Sequence, residues 1–177
     1  MQLGTLTQAI DHKPAASDFA IIDAPVPTCP EDGVPVRVVH LSLDPYVGSR
    51  LRGRHMGEAP PEPMQGAIPG AIVGQVVESR AAGLSEGDWV HAMEGGWQEF
   101  TALPAAEVRK LDPGLAPLAA HAGVLGMPGL TAWSGITQLA KVGSGDTVLV
   151  DAAAGPGGGT GGQNGSTKGA GRGGGVG

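Results

Sequence analysis

Two stretches of this 177-residue chain bring together residue types that could do chemistry. The first is Asp44-Pro45-Tyr46, followed by Arg50, Arg52, Arg54 and His55, which could form an anion-binding loop over a cleft. The same pattern also fits a solvated turn with scattered charge. The second is the apolar run at 147–150, followed by Asp151, three alanines and Gly155. A short strand leading into small residues and glycines is where a dinucleotide-binding loop sits. Glycines there let the backbone approach a pyrophosphate, and a following helix offers its free N–H groups and dipole to the anion. Gly155 and Gly158 have the spacing, but glycine is so abundant nearby that a plain glycine-rich linker fits the pattern alone better.

Other chemistries find little support. None of the five histidines lies in an HxxxH or HxH pair or has a cysteine or carboxylate at ligand spacing, so each reads as surface or singly hydrogen-bonded. The lone Cys29 excludes an internal disulfide and a multi-cysteine metal site. No nucleophile-elbow serine motif occurs. Trp89, Trp97 and Trp133 read as core or edge packing, although Trp97 stands at the start of a strand and could line a pocket.

The elements that must position these residues fall into two compositions. Of the 32 glycines, 13 lie in the last 26 residues. All 17 acidic residues lie at or before Asp151, giving a body of net charge −8 and a tail of +2. An acidic body argues against nucleic acid as a partner. No apolar stretch approaches the ~20 residues of a membrane span, and the N-terminus has no basic start before an apolar run. A cytoplasmic protein is the expectation.

Between residues 19 and 111, short apolar runs broken by Pro, Gly and Asp predict strands at 19–22, 34–43, 71–78, 89–93 and 98–103. Gly74 inside one of them suggests a bulge or close packing. Residues 121–142 predict two helical pieces interrupted at Pro128-Gly129, and 147–150 a short buried strand. The composition of 156–177 cannot bury a core of its own, and a disordered tail is expected there.

Four motifs, in order and at matching separations, carry a family resemblance. They are Leu41-Ser42-Leu43-Asp44-Pro45-Tyr46, Gly95-Gly96-Trp97-Gln98-Glu99-Phe100, Lys110-Leu111-Asp112-Pro113, and the run from Gly123 to Trp133 through Met127-Pro128-Gly129-Leu130-Thr131. Together they resemble the zinc-independent medium-chain dehydrogenase/reductases of the prostaglandin reductase and NADP-dependent alkenal/one oxidoreductase group. The resemblance runs from about Asp18 to Gly155. It implies a mainly β GroES-like barrel domain at 1–120, linking helices with the first Rossmann strand and turn at 121–155, and a truncated α/β Rossmann domain whose tail is degenerate at 156–177.

The resemblance also implies an activity, the NADPH-dependent reduction of the carbon–carbon double bond of α,β-unsaturated ketones or aldehydes. By resemblance Tyr46 is catalytic and lies beside the nicotinamide with Met127, Thr131 is near the cofactor, and Ala154, Gly155, Pro156, Gly157 and Gly158 form the pyrophosphate turn. The partners it implies are a small enone or enal and, for full-length relatives, a second subunit in a homodimer, without nucleic acid or membrane. No metal is implied. Zinc-dependent relatives carry Gly-His-Glu where this chain has Gly70-Ala71-Ile72, and Leu43-Asp44 stands near their first cysteine ligand.

Three departures stand out. Val47 and Gly48 replace the family's methionine and arginine, while Arg50 keeps the second arginine. After Gly155 the apolar residues of the expected helix have become Gly, Asn or Ser, each glycine costing ~1 kcal/mol of helix propensity relative to alanine. The chain stops near half the length the fold requires. Two readings therefore stand: an enone reductase whose 177 residues are inactive alone, and a non-catalytic GroES-like remnant that binds no cofactor.

Overall fold

The computed structural model describes residues 1–174, apart from the side chains of Pro156 and of 172–174. It divides into two compact units, Met1–Leu115 and Ala116–Gly177. The break lies a few residues before the expected boundary at 120, where Pro117 opens a short 3-10 turn at Leu118–Ala122.

The first unit is mainly β, as expected. Strands β1 (Gln2–Leu6) and β2 (Phe19–Asp23) form an antiparallel pair. Five more build a curled antiparallel sheet: β3 (Gly33–Leu41), β4 (Ile72–Val76), β5 (Trp89–Ala92), β6 (Phe100–Pro104) and β7 (Val108–Lys110), in the order β6-β3-β4-β5-β7. A bridge between Leu3 and Gln98 ties the two sheets together. Helix α1 (Pro45–Arg50) follows β3.

Alternation sets the core. Val34, Val36, Ile72, Val76, Val90, Ala92 and Leu103 face one another from β3 to β6 and are all buried. The central strands are rich in β-branched residues, whose stiff side chains suit a pleated surface. Gly74 satisfies both halves of its expectation. The β3–β4 register shifts between Val38 and His40 opposite it, and a Cβ there would stand 2.5 Å from the Arg37 carbonyl oxygen. A second cluster packs Leu6, Ile10, Val47, Leu51 and Ile68 against Phe19, Tyr46 and Trp97, between α1 and the β1–β2 pair.

The second unit contains α2 (Met127–Ser134), a π-helical extension at Gly135–Leu139, β8 (Thr147–Val150), α3 (Pro156–Thr167) and β9 (Gly171–Gly174). Strands β8 and β9 pair in parallel across α3, a β-α-β unit that opens an α/β fold. Pro128 does not interrupt a helix here. It lies in the first turn of α2, where a missing N–H costs nothing.

The expected disordered tail is corrected at 156–174, where a helix and a strand stand; residues 175–177 lie outside the described residues. Helix propensity is outweighed here by close approach. Gly165 is buried against Val148, whose Cγ2 would be 3.3 Å from an added Cβ, and Gly158 stands against the Ala152 carbonyl oxygen, 2.5 Å from an added Cβ. Backbone pairing of 171–174 with β8 then closes the unit.

Candidate functional site

The Asp44-Pro45-Tyr46 stretch is a helix start, not a loop. Asp44 is extended (ψ 147°), as a residue before proline must be, and Pro45 opens α1. The buried Ser42 hydroxyl donates to Asp44 Oδ2 at 2.6 Å, which fixes the entry to the helix. Val47 and Leu51 face the second core cluster, and Tyr46 packs on its edge.

The Tyr46 ring meets that of His55 at 5.3 Å between centroids, and its hydroxyl is buried with no acceptor for its hydrogen. Burial pushes this hydroxyl above its ordinary pKa, and the negative charges of Glu94 and Asp44 push it further; Arg50 pulls the other way. At pH 7 Tyr46 is therefore a neutral phenol with a hydrogen to give, an unusual state for a buried polar group.

The arginines after Tyr46 do not converge as an anion-binding loop. Arg50 Nη1 donates to both oxygens of Glu94, at 2.7 and 2.6 Å, and its Nε pairs with Glu58 at 3.0 Å. Burial opposes the Arg50 charge, but Glu94 and then Glu58 outweigh it and hold the guanidinium above its ordinary value. Arg52 donates to the carbonyls of Gly48 and His12, and Arg54 is exposed. Arg50 and Glu94 line a cavity of about 350 Å³ together with Ala59, Pro61, Gly95 and Gly96.

Trp97 lines a neighbouring apolar cavity of about 350 Å³ with Gly4, Phe19, Ile21 and Ile68, stacked on Phe19 at 6.3 Å. Its indole Nε1 is buried without an acceptor and points at Gly70, where an added Cβ would stand 3.2 Å away. The histidines divide between surface and interior, His12 being exposed. His91 and His121 are buried, and His12 faces Asp11 and Asp18 with its two ring nitrogens, at 3.0 and 3.1 Å. Neither buried ring signalled itself in the sequence, because a lone histidine in an apolar run has no periodic signature. Among the described residues, no three His, Cys, Asp or Glu side chains gather as a metal site.

In the second unit, Met127 opens α2 and is half-buried, while Thr131 is exposed one turn on. Gly129 sits so close to Val124 that an added Cβ would overlap the Val124 carbonyl oxygen, which locks the start of α2 onto the preceding turn. The β8–α3 connection turns tightly. Ala152 has a positive φ of 50°, Gly155 N donates to Ala152 O at 3.0 Å, and Gly155 caps α3 ahead of Pro156. At Gly158 a Cβ would stand 2.5 Å from Ala152 O, whereas at Gly157 nothing lies within 4 Å. One glycine is thus required by the turn, and the other leaves the backbone open to solvent beside exposed Ala154.

The chain is similar to known proteins. Residues 4–111 match the family described as the N-terminal domain of oxidoreductase. The chain is 37% identical to the NADPH-dependent curcumin reductase of Escherichia coli over 148 residues, covering 82% of this chain and 41% of that protein. It is 36% identical to the NADP(+)-dependent 2-alkenal reductase of Nicotiana tabacum, covering 80% and 42% respectively. CurA from Vibrio vulnificus, solved in complex with NADPH, superposes with a TM-score of 0.88 at 31% identity, over 98% of this chain and 51% of that one. The chain spans about half the length of these relatives. It belongs to the zinc-independent medium-chain dehydrogenase/reductases, in the group that holds the alkenal, curcumin and prostaglandin reductases.

Proposed function

We propose that this chain carries the substrate-side domain and the first cofactor-binding turn of an NADPH-dependent reductase acting on the C=C bond of α,β-unsaturated ketones or aldehydes. The observation that carries the reading is the buried hydroxyl of Tyr46, whose hydrogen meets no acceptor, a neutral donor in a domain of this family. Reduction at the β-carbon of an enone leaves negative charge on the carbonyl oxygen, and a donor placed there lowers the barrier. NADPH, when bound, supplies the hydride.

The turn after β8 fits the pyrophosphate end of that cofactor. Gly158 gives the tight corner, Gly157 leaves the backbone approachable, and the first N–H groups of α3 have no partner within the helix. Ala154, Gly155 and Pro156 shape the corner, and Met127 and Thr131 of α2 are assigned to the cofactor as well. The zinc-dependent relatives' route, a metal on the carbonyl, has no counterpart at Gly70, Ala71 and Ile72. The substrate is a small enone or enal, and the complete enzyme is assigned as a homodimer.

By themselves the 177 residues are proposed to be inactive and to bind NADPH weakly, near millimolar or about −4 kcal/mol. Helix α3, with glycine at half its positions, offers the anion a poorly anchored N-terminus. Calorimetric titration of NADPH into the chain tests this, and a micromolar dissociation constant would refute it. The reductase reading is tested separately by a chimera in which residues 1–151 replace their counterpart in the E. coli curcumin reductase. Enone-dependent loss of NADPH is expected, and Tyr46→Phe in the chimera should slow it by about 100-fold or more, one donor's worth. A chimera that folds and binds NADPH but reduces no enone rules the reading out.

A further inference from the structure

The environment of Tyr46 raises a question of competition. A buried phenol hydrogen close to a carboxylate is normally captured by it, because an O–H to O⁻ hydrogen bond is among the stronger ones available. Glu94 is the carboxylate whose charge weighs most on this hydroxyl, with Asp44 next. Yet the Tyr46 hydroxyl meets no acceptor, and the side chain that bears on it directly is Arg50, which can only donate. Asp44 Oδ2 is already held by Ser42 at 2.6 Å. Both Glu94 oxygens are held by one nitrogen of Arg50, whose Nε is anchored in turn by Glu58. Tyr46 and Arg50 stand four residues apart on α1, so they leave the helix on one face, next to each other.

We propose that Arg50 is a positioning residue that keeps the Tyr46 hydroxyl free to donate to an incoming ligand oxygen by occupying Glu94. This deepens the reading of Tyr46 as the donor and rests on it. The same ion pairs bind three pieces of chain around the 350 Å³ cavity: α1, the 51–69 segment through Glu58, and the turn after β5 through Glu94. The glycines of that turn hold Glu94 in place from the other side. Gly96 N donates to Gly70 O at 2.9 Å, and a Cβ on Gly95 would overlap the Ile72 side chain. Arg50 therefore sets where Glu94 points and, through it, what Tyr46 has left to do.

Tyr46 is the sole tyrosine in the chain, so its signals can be read without ligand, cofactor or turnover. The experiment is ultraviolet resonance Raman of the tyrosine doublet, with absorbance titration of the phenol, on the wild-type chain and on Arg50→Gln, Glu94→Gln and the double variant. In wild type the doublet should read a hydroxyl that donates no strong bond. In Arg50→Gln the doublet should shift to a strong donor, because Glu94 is released onto Tyr46; the phenol midpoint should rise too, but loss of the Arg50 charge raises it by itself, so the doublet decides. In Glu94→Gln the midpoint should fall, and the double variant should return to a free hydroxyl.

A folded Arg50→Gln chain with an unchanged doublet overturns the proposal, as does a double variant that keeps the strong-donor signature. If Arg50→Gln does not fold, Glu94→Gln decides alone, and an unmoved midpoint there overturns it. Tryptophan emission serves as the check on folding. Because none of these measurements needs NADPH or an enone, their failure is distinguishable from failure of the reductase reading, which the chimera tests.

Discussion

The two units hold themselves together by different means. In residues 1–115, Val34, Val36, Ile72, Val73 and Val90 are fully buried, at 0% exposure. Among the described residues of the second unit, the buried apolar side chains are Ala122, Ile136, Val142 and Ala170, all at 8–9%, while Leu130, Leu139 and Leu149 exceed 60%. The first unit is stabilised by side-chain burial at ~25 cal/mol per Å². The second relies on backbone pairing between β8 and β9, on close backbone approach at Gly129 and Gly158, and on Val148 packing against Gly165. The residue assigned to the substrate, Tyr46, therefore stands on the unit with the well-buried apolar core. The turn assigned to the cofactor stands on the one with less hydrophobic support.

The sharpest way to break this contrast is Ile72→Ala. It empties a fully buried site among Val34, Val36, Val76 and Val90 and should cost the first unit about 2–5 kcal/mol. Urea unfolding followed by Trp89 and Trp97 emission checks it, and a loss under ~1 kcal/mol would mean that the sheet is not held by its core. Next is Gly158→Ala, whose Cβ would stand 2.5 Å from the Ala152 carbonyl oxygen. It should destabilise α3 by about 1–3 kcal/mol, seen as faster hydrogen exchange at 156–167 with no change in the first unit.

Gly157→Ala should act in the opposite direction. Nothing lies within 4 Å of the added methyl, so α3 should gain up to ~1 kcal/mol of propensity. If both alanines moved exchange the same way, the tight corner at Gly158 would be wrong.

The smallest effect concerns the loop before β2. Asp18, whose side chain is fully buried, accepts from Ala15 N, Gln8 and His12, and is held below the usual carboxylate range chiefly by Ala15 and Gln8. Its contribution is present above the ordinary aspartate pKa and is lost as pH falls through the lower folded value. His12 is raised, first by the hydrogen bond to Asp11 and then by the charge of Asp18. Its contribution is complete below the ordinary imidazole pKa and fades as pH rises through the higher folded value. The urea midpoint should therefore fall modestly on both sides of a weakly acidic plateau, and His12→Gln should remove only the alkaline shoulder.

How much of this was legible in advance differs by region. Strands at 19–22, 34–43, 71–78, 89–93 and 147–150 announced themselves through β-branched alternation and stand within a few residues of β2, β3, β4, β5 and β8. Strands β1 and β7 did not, because Gln2–Leu6 and Val108–Lys110 carry too few apolar residues to show a period. Helix α1 was hidden by its brevity, six residues with a glycine and a serine.

Sequence by itself determined the family, through the spaced motifs around Asp44-Pro45-Tyr46 and Met127-Pro128-Gly129, and the mainly β character of the first unit, through local side-chain alternation. Tertiary structure alone decided that Arg50 meets Glu94 and Glu58 instead of an anion, that the Tyr46 hydroxyl is buried with no acceptor for its hydrogen, and that Gly158 is required while Gly157 is not. It also decided that a segment with poor helix propensity forms α3. The physical reason is common to all four. Alternation and turn chemistry are local and leave a trace in neighbouring residues, whereas pairing between residues 44 positions apart, and the space left for a single Cβ, depend on which backbones the fold brings within a few ångströms of each other.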